Sequence, residues 1–204
     1  MSDRKSLKLN GCRVDILAVI KGLVSESSKV RKVIDHGYDA VGIALGPEDI
    51  KAMELRANLE TPDMSEIDLV YCKILKEFGE IDVPAPAYCA LVDACAERSI
   101  PLVPLDMDDE TFSELYCNTV TALELFREQK LAAKGLKMTF DLSSPQAFVT
   151  EWDAHVNTIK GFRVLSEIRE EYIAKEIEKL SAGKTRILVV VEYERFQGIA
   201  ERLE

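Results

Sequence analysis

Four short runs, Arg13–Ile20, Asp39–Leu45, Pro101–Leu105 and Arg186–Val191, are rich in β-branched residues, five to eight positions long and bounded by turn residues. Runs this short with such borders read as buried strands. Because they are apolar at both alternations, both faces of the sheet must be covered. This predicts an α/β fold with a mostly parallel central sheet flanked by helices. Pro104 has no N–H for a ladder, so the third run is predicted at a sheet edge or bulge.

Between these runs the apolar period lengthens to that of a helix. Ser25 is placed to cap a helix that presents Val30, Val33 and Ile34, with Gly37 past its end. Pro47 suits the first position of a second helix, after Gly46. Ile67, Val70, Tyr71, Ile74, Leu75 and Phe78 hold one face ahead of Gly79, and Pro86 to Arg98 continues in the same manner. From Asp108 to about Leu180 no strand is recognisable, and helices are expected over Thr111–Ala133, Pro145–Asn157 and Phe162–Leu180. The whole chain, 1–204, therefore reads as one domain with a helical insertion, 108–180, before the last strand. The insertion is suited to act as a lid or a dimerisation arm, which makes a homo-oligomer one expected assembly.

A domain of 204 residues buries roughly 70% of its unfolded surface, so a substantial core is available. With 36 acidic against 26 basic residues and no basic cluster, the surface repels polyanions, and nucleic acid and anionic membranes are excluded as partners. No run reaches the length of a membrane span. Cys12, Cys72, Cys89, Cys95 and Cys117 form no CxxC pair and read as reduced core thiols. Together with the polar opening Met-Ser-Asp-Arg-Lys-Ser, they predict a cytoplasmic protein.

Ligands of open α/β sheets collect beyond the carboxyl ends of the strands. Here those ends carry Lys21 and Gly22, then Gly46, Glu48 and Asp49, then Asp106, Asp108, Asp109 and Glu110, and finally Glu192, Glu194 and Arg195. If the strands are parallel neighbours these groups share one rim, with Lys21 and Arg195 as counter-charges or a hard divalent ion between the acids. The competing reading makes Asp106, Asp108 and Asp109 helix caps and first-turn residues. His36 and His155 are lone histidines, read as ordinary surface or capping residues rather than metal ligands. Trp152, Phe148 and Phe162 sit at helical spacing and read as packing rather than as a pocket lining. No glycine-rich phosphate loop and no Gly-x-Ser-x-Gly elbow is present, so no cofactor is expected.

In order and spacing these landmarks resemble the TraB/PrgY pheromone-shutdown family, related to the GumN, ChaN and Tiki proteins. Ile16-Leu17-Ala18-Val19-Ile20-Lys21 resembles the strand that enters a Gly-x-x-His turn, with Ala18 for the glycine and Lys21 for the histidine. Ala44-Leu45, followed by Glu48 and Asp49, stands where the family has Glu-Leu and then an arginine. Asp106-Met107-Asp108 resembles its Asp-Arg-Asp turn without the arginine. Ile168-Arg169-Glu170-Glu171-Tyr172-Ile173-Ala174 resembles its Glu-Arg-Asp-x-Tyr-Met-Ala helix, and Arg169 is the polar residue that carries over. Val190 to Ile199 resembles the last family turn, keeping Gly198 and Ile199 but with Glu192, Glu194 and Arg195 for two glycines and a histidine.

The resemblance implies a TraB/ChaN-like fold and a site built from Lys21, Glu48, Asp106, Asp108, Arg169, Glu192, Glu194 and Arg195. The family's proposed chemistry is metal-assisted hydrolysis with imidazole and carboxylate ligands. Lysine and arginine cannot replace those imidazoles, because both are cationic at neutral pH. Two functions remain open. One is a catalytically silent module that binds a peptide, a small molecule or a second subunit. The other is a hydrolase with a rewired, cation-dependent site on the acidic rim. Lost motif residues outnumber kept ones, which favours the silent module.

Overall fold

A computed structural model describes residues 3–34, 37–56 and 64–204. Its centre is a five-stranded sheet in the order β1-β2-β5-β3-β4, made of β1 (Arg4–Leu9), β2 (Cys12–Val19), β3 (Ala40–Ile43), β4 (Leu102–Pro104) and β5 (Arg186–Glu192). The pairs β2–β5, β5–β3 and β3–β4 are parallel, and β1 runs antiparallel on β2. β4, with Pro104, is an edge strand, as the proline requires.

The described residues form nine α-helices: α1 (Glu26–Val33), α2 (Pro47–Glu54), α3 (Glu66–Leu75), α4 (Pro86–Arg98), α5 (Asp109–Thr119), α6 (Ala122–Gly135), α7 (Pro145–Val156), α8 (Lys160–Ser181) and α9 (Tyr193–Arg202). Alternation along the strands decides which helices cover which face. Ile16, Ala18, Val189 and Val191 point into a core with α3, α7, α8 and α9. Leu17, Val19, Leu188 and Val190 point the other way, into a core with α1 and α4. The result is a three-layer α/β/α sandwich, which is why the central strands carry apolar residues on both faces.

Three local expectations need correction. Ser25 does not cap α1: it has helical dihedrals and its side chain accepts no bond. The neighbouring Glu26 carboxylate instead accepts the Ile20 N–H at 3.2 Å and pairs with Lys29 at 3.0 Å. The stretch 111–133 is two helices, because Thr121 and Glu124 make a reciprocal capping box that starts α6 afresh. Arg4–Leu9, which the sequence reading left outside the sheet, is a strand joined to β2 through Asn10-Gly11, both at positive φ.

The insertion helices share the main core. Phe148 and Trp152 are buried, with the Phe148 ring 5.6 Å from Tyr71 and 6.2 Å from Trp152. They pack, as their spacing indicated. His155 is buried rather than on the surface, its Nε2 3.1 Å from the Leu131 carbonyl. His36 lies outside the described residues. Of the cysteines, Cys12 and Cys95 are core thiols, but Cys72 and Cys89 are half-buried and Cys117 is exposed. No helix among the described residues is long and apolar enough to cross a membrane.

Candidate functional site

β2 and β5 are neighbours in parallel register, with Val19 opposite Glu192. The turn that follows β2 and the start of α9 therefore lie side by side. Beyond these ends, and beyond the end of β3, is a pocket of about 340 Å³. Lys21 and Glu192 line it from the sheet, Asp49 from α2, Asp68 and Tyr71 from α3, Tyr88 from α4 and Arg169 from α8, while Asp82 and Pro84 belong to the loop before α4.

The backbone under Lys21 is fixed from two sides. Gly22 adopts φ +100°, a conformation that side-chain-bearing residues rarely take. Its carbonyl accepts the Asp82 N–H at 2.9 Å, and the Lys21 carbonyl accepts the Tyr71 hydroxyl at 3.1 Å. Lys21 lines the pocket at its solvent-exposed mouth, and its ammonium makes no hydrogen bond or ion pair among the described residues. Glu192 raises its pKa, and burial opposes this while Asp68 and Glu194 add to it, so it is a cation throughout the neutral range.

Glu192 is buried at the end of β5, where its carboxylate receives Arg195 Nε at 3.0 Å. Burial alone would raise it, but the charges of Arg195, Lys21 and Arg169 outweigh burial and hold the carboxyl below its usual range. Arg195 also donates to Ser166 Oγ at 2.8 Å. Glu194 does not line the pocket, and its Oε2 is buried without a partner among the described residues. Burial and the neighbouring Glu192 push Glu194 up to about 7.

Arg169 donates from Nε to Asp106 Oδ2 at 3.0 Å and from Nη2 to the same oxygen, and its guanidinium lies 5.2 Å from the Phe112 ring centre. Its Nη1 makes no hydrogen bond among the described residues. Asp106 is thus the anchor of Arg169 and not a helix cap. Asp108 is the cap, accepting the Thr111 N–H at 2.7 Å. Asp109 and Glu110 occupy the first turn of α5, and Glu48 accepts the Asp109 N–H at 3.3 Å. The last turn is close-packed: a Cβ on Gly46 would stand 2.5 Å from the Met107 carbonyl oxygen, so the β3–α2 and β4–α5 turns touch backbone to backbone.

Of the eight residues singled out from sequence, then, Lys21, Arg169 and Glu192 line one pocket. Asp106 and Arg195 support it from behind, Glu194 is half-buried outside it, and Glu48 and Asp108 serve the start of α5. Gly198, kept from the resembled turn, marks the crossing of α9 over α8: a Cβ there would meet the Glu170 carboxylate at 2.1 Å.

Sequence reasoning passed over Tyr88. Its hydroxyl is buried on the pocket wall without a hydrogen-bond partner, and burial together with Glu192 and Glu194 pushes its pKa well above that of a free tyrosine. The hydroxyl therefore stays protonated, an unused donor. The one signal was its position in the first turn of a helix opened by Pro86, since that turn faces the strand ends. No three His, Cys, Asp or Glu side chains are grouped to hold a metal ion among the described residues. No protein-family model matches the chain, and no curated protein matches it.

Proposed function

We propose that the chain is a ligand-binding relative of the TraB/PrgY proteins that holds a small molecule with an anionic group in the pocket at the ends of β2, β5 and β3, without hydrolytic chemistry. The observation that carries this reading is the convergence of two unused donors, the Lys21 ammonium and the Tyr88 hydroxyl, on one concave surface. A buried hydroxyl without a partner costs about 1–3 kcal/mol, a cost that a bound acceptor removes. The pocket volume of about 340 Å³ falls in the range of about 300–1,000 Å³ usual for small-molecule sites.

The arrangement does not favour hydrolysis. Glu194, the carboxyl poised near neutrality, does not line the pocket, and Glu192 is committed to Arg195 and surrounded by cations. The test is thermal unfolding with a panel of small carboxylates and phosphates. A ligand at a hundredfold excess over its Kd contributes about 2.7 kcal/mol, a rise of several degrees for a domain of this size. Such a rise, lost in Lys21→Met, is expected. Peptide cleavage that depends on a divalent metal and is abolished by Glu192→Ala would establish the rewired hydrolase instead.

An assembly role is favoured by a separate observation. Leu123 and Phe126, one turn apart on α6, are 61% and 71% exposed. Sedimentation showing a monomer at high concentration removes this second reading.

A further inference from the structure

The pocket holds charges of both signs: Glu192 is committed to Arg195 and faces Lys21, but three further acids keep a free oxygen. Asp49, Asp68 and Asp82 line it, and none makes a salt bridge among the described residues. Each uses one oxygen locally: Asp49 Oδ2 accepts the Gly46 N–H at 3.3 Å, Asp68 Oδ2 the Ser65 hydroxyl at 2.8 Å, and Asp82 Oδ1 the Val83 N–H at 2.8 Å. The second oxygen of each makes no hydrogen bond among the described residues. Asp68 lies near enough to Lys21 to raise its pKa, and Arg169 near enough to Asp49 to act on its carboxyl, so free donors and free carboxylate oxygens alternate around one pocket, and a molecule carrying both an anion and an ammonium engages both.

From this, and resting on the binding reading above, we infer that the ligand is a zwitterion about the size of a single amino acid. Its carboxylate or phosphate lies on Lys21, Tyr88 and Arg169 Nη1, and its ammonium lies among Asp49, Asp68 and Asp82. A simple anion leaves the three acids unpaired and is repelled by them. A simple amine leaves Lys21 unpaired and the Tyr88 hydroxyl without an acceptor. Only a molecule with both poles satisfies both halves, and Met53, Met64 and Pro84 supply an apolar wall for its carbon body. Buried polar groups that match two ligand groups reject analogues lacking either one.

The experiment is calorimetric titration and thermal unfolding of the full chain with L-leucine and with phosphoethanolamine, which supply the anionic pole as carboxylate and as phosphate. The controls are 4-methylpentanoate, which lacks the ammonium, and 3-methylbutylamine, which lacks the carboxylate. At least one zwitterion is expected to bind about tenfold or more tighter than both controls, and Asp68→Asn or Asp82→Asn to remove most of that advantage by weakening the zwitterion and tightening 4-methylpentanoate. These acids are exposed or half-buried, so the variants fold. If 4-methylpentanoate binds as well as either zwitterion, and Lys21→Met abolishes both, the zwitterion assignment is wrong and the anion-binding reading stands. If no probe binds in a Lys21-dependent manner, both are wrong.

Discussion

Arg169 in the middle of α8 grips Asp106, 63 residues earlier, at the end of the edge strand β4. The contact ties the longest helix to the sheet and holds the guanidinium at the pocket wall. Asp106 is buried and Arg169 half-buried, so the pair is desolvated more on the acid side. Asp106→Asn keeps the shape, and the Met107 N–H can still find an oxygen, but it removes the charge opposite Arg169. A loss of about 1.5–3 kcal/mol is expected in urea unfolding, the range for hydrogen bonds to charged groups. A loss under about 0.5 kcal/mol, the usual value for surface pairs, would place the contact among solvent-screened bridges.

Tyr88 makes the opposite prediction, a stabilising substitution that harms binding. The hydroxyl is buried and unpartnered, so Tyr88→Phe removes an uncompensated polar group while the ring keeps its packing. Unfolding free energy should rise by about 1 kcal/mol, with anion affinity falling at the same time. A variant less stable than the parent would show that the hydroxyl already has a partner in solution.

Glu194 sets a pH dependence whose sign is fixed by its raised pKa. In the folded chain it titrates at about 7, against an ordinary value of 4.5. Between these values the folded state holds a proton that the unfolded state has released, so this group's contribution to stability falls as pH rises through that window. Glu194→Gln stays neutral at every pH. Its stability relative to the parent should therefore be nearly unchanged at about pH 4, then climb through the window and level off above about pH 7 at a gain on the order of a few kcal/mol. Parallel profiles for the two proteins would assign the buried proton to another group.

The strands of the parallel sheet were legible because burial on both faces leaves apolar residues on both alternations, and Pro104 marked the edge. β1 was not legible from its apolar content. Arg4, Ser6 and Lys8 face solvent and only alternate residues are half-buried, as an edge strand that resists further pairing requires. Its signal was the turn: Asn10-Gly11, at φ 52° and 85°, is the dipeptide that a two-residue hairpin prefers. Lys21, Arg169 and Glu192 were found because each follows or faces a strand end in a recognisable motif. Tyr71 and Tyr88 were hidden because each fills an ordinary core position on its helix, and only the tip of the ring reaches the pocket. Asp68 and Asp82 come from segments distant in sequence, brought in when Gly22 pairs with the loop before α4.

Tyr71 joins the aromatic core to the site. Its ring stacks on Phe148 at 5.6 Å, and its hydroxyl holds the Lys21 carbonyl at 3.1 Å. Tyr71→Phe leaves the stack intact and frees only the backbone beneath Lys21. Stability should drop by about 0.5–1.5 kcal/mol, the net value of one hydrogen bond. Affinity for L-leucine should drop as well, because the ammonium is then held less firmly in its binding position. A positioning role has a further signature. In the background of Lys21→Met there is no ammonium left to position, so Tyr71→Phe should cost stability as before but leave the residual affinity unchanged. A double-mutant cycle read by calorimetry separates the two effects. Equal losses of affinity in both backgrounds would mean that Tyr71 contacts the ligand directly, or acts only through general loosening of the fold, and not through Lys21.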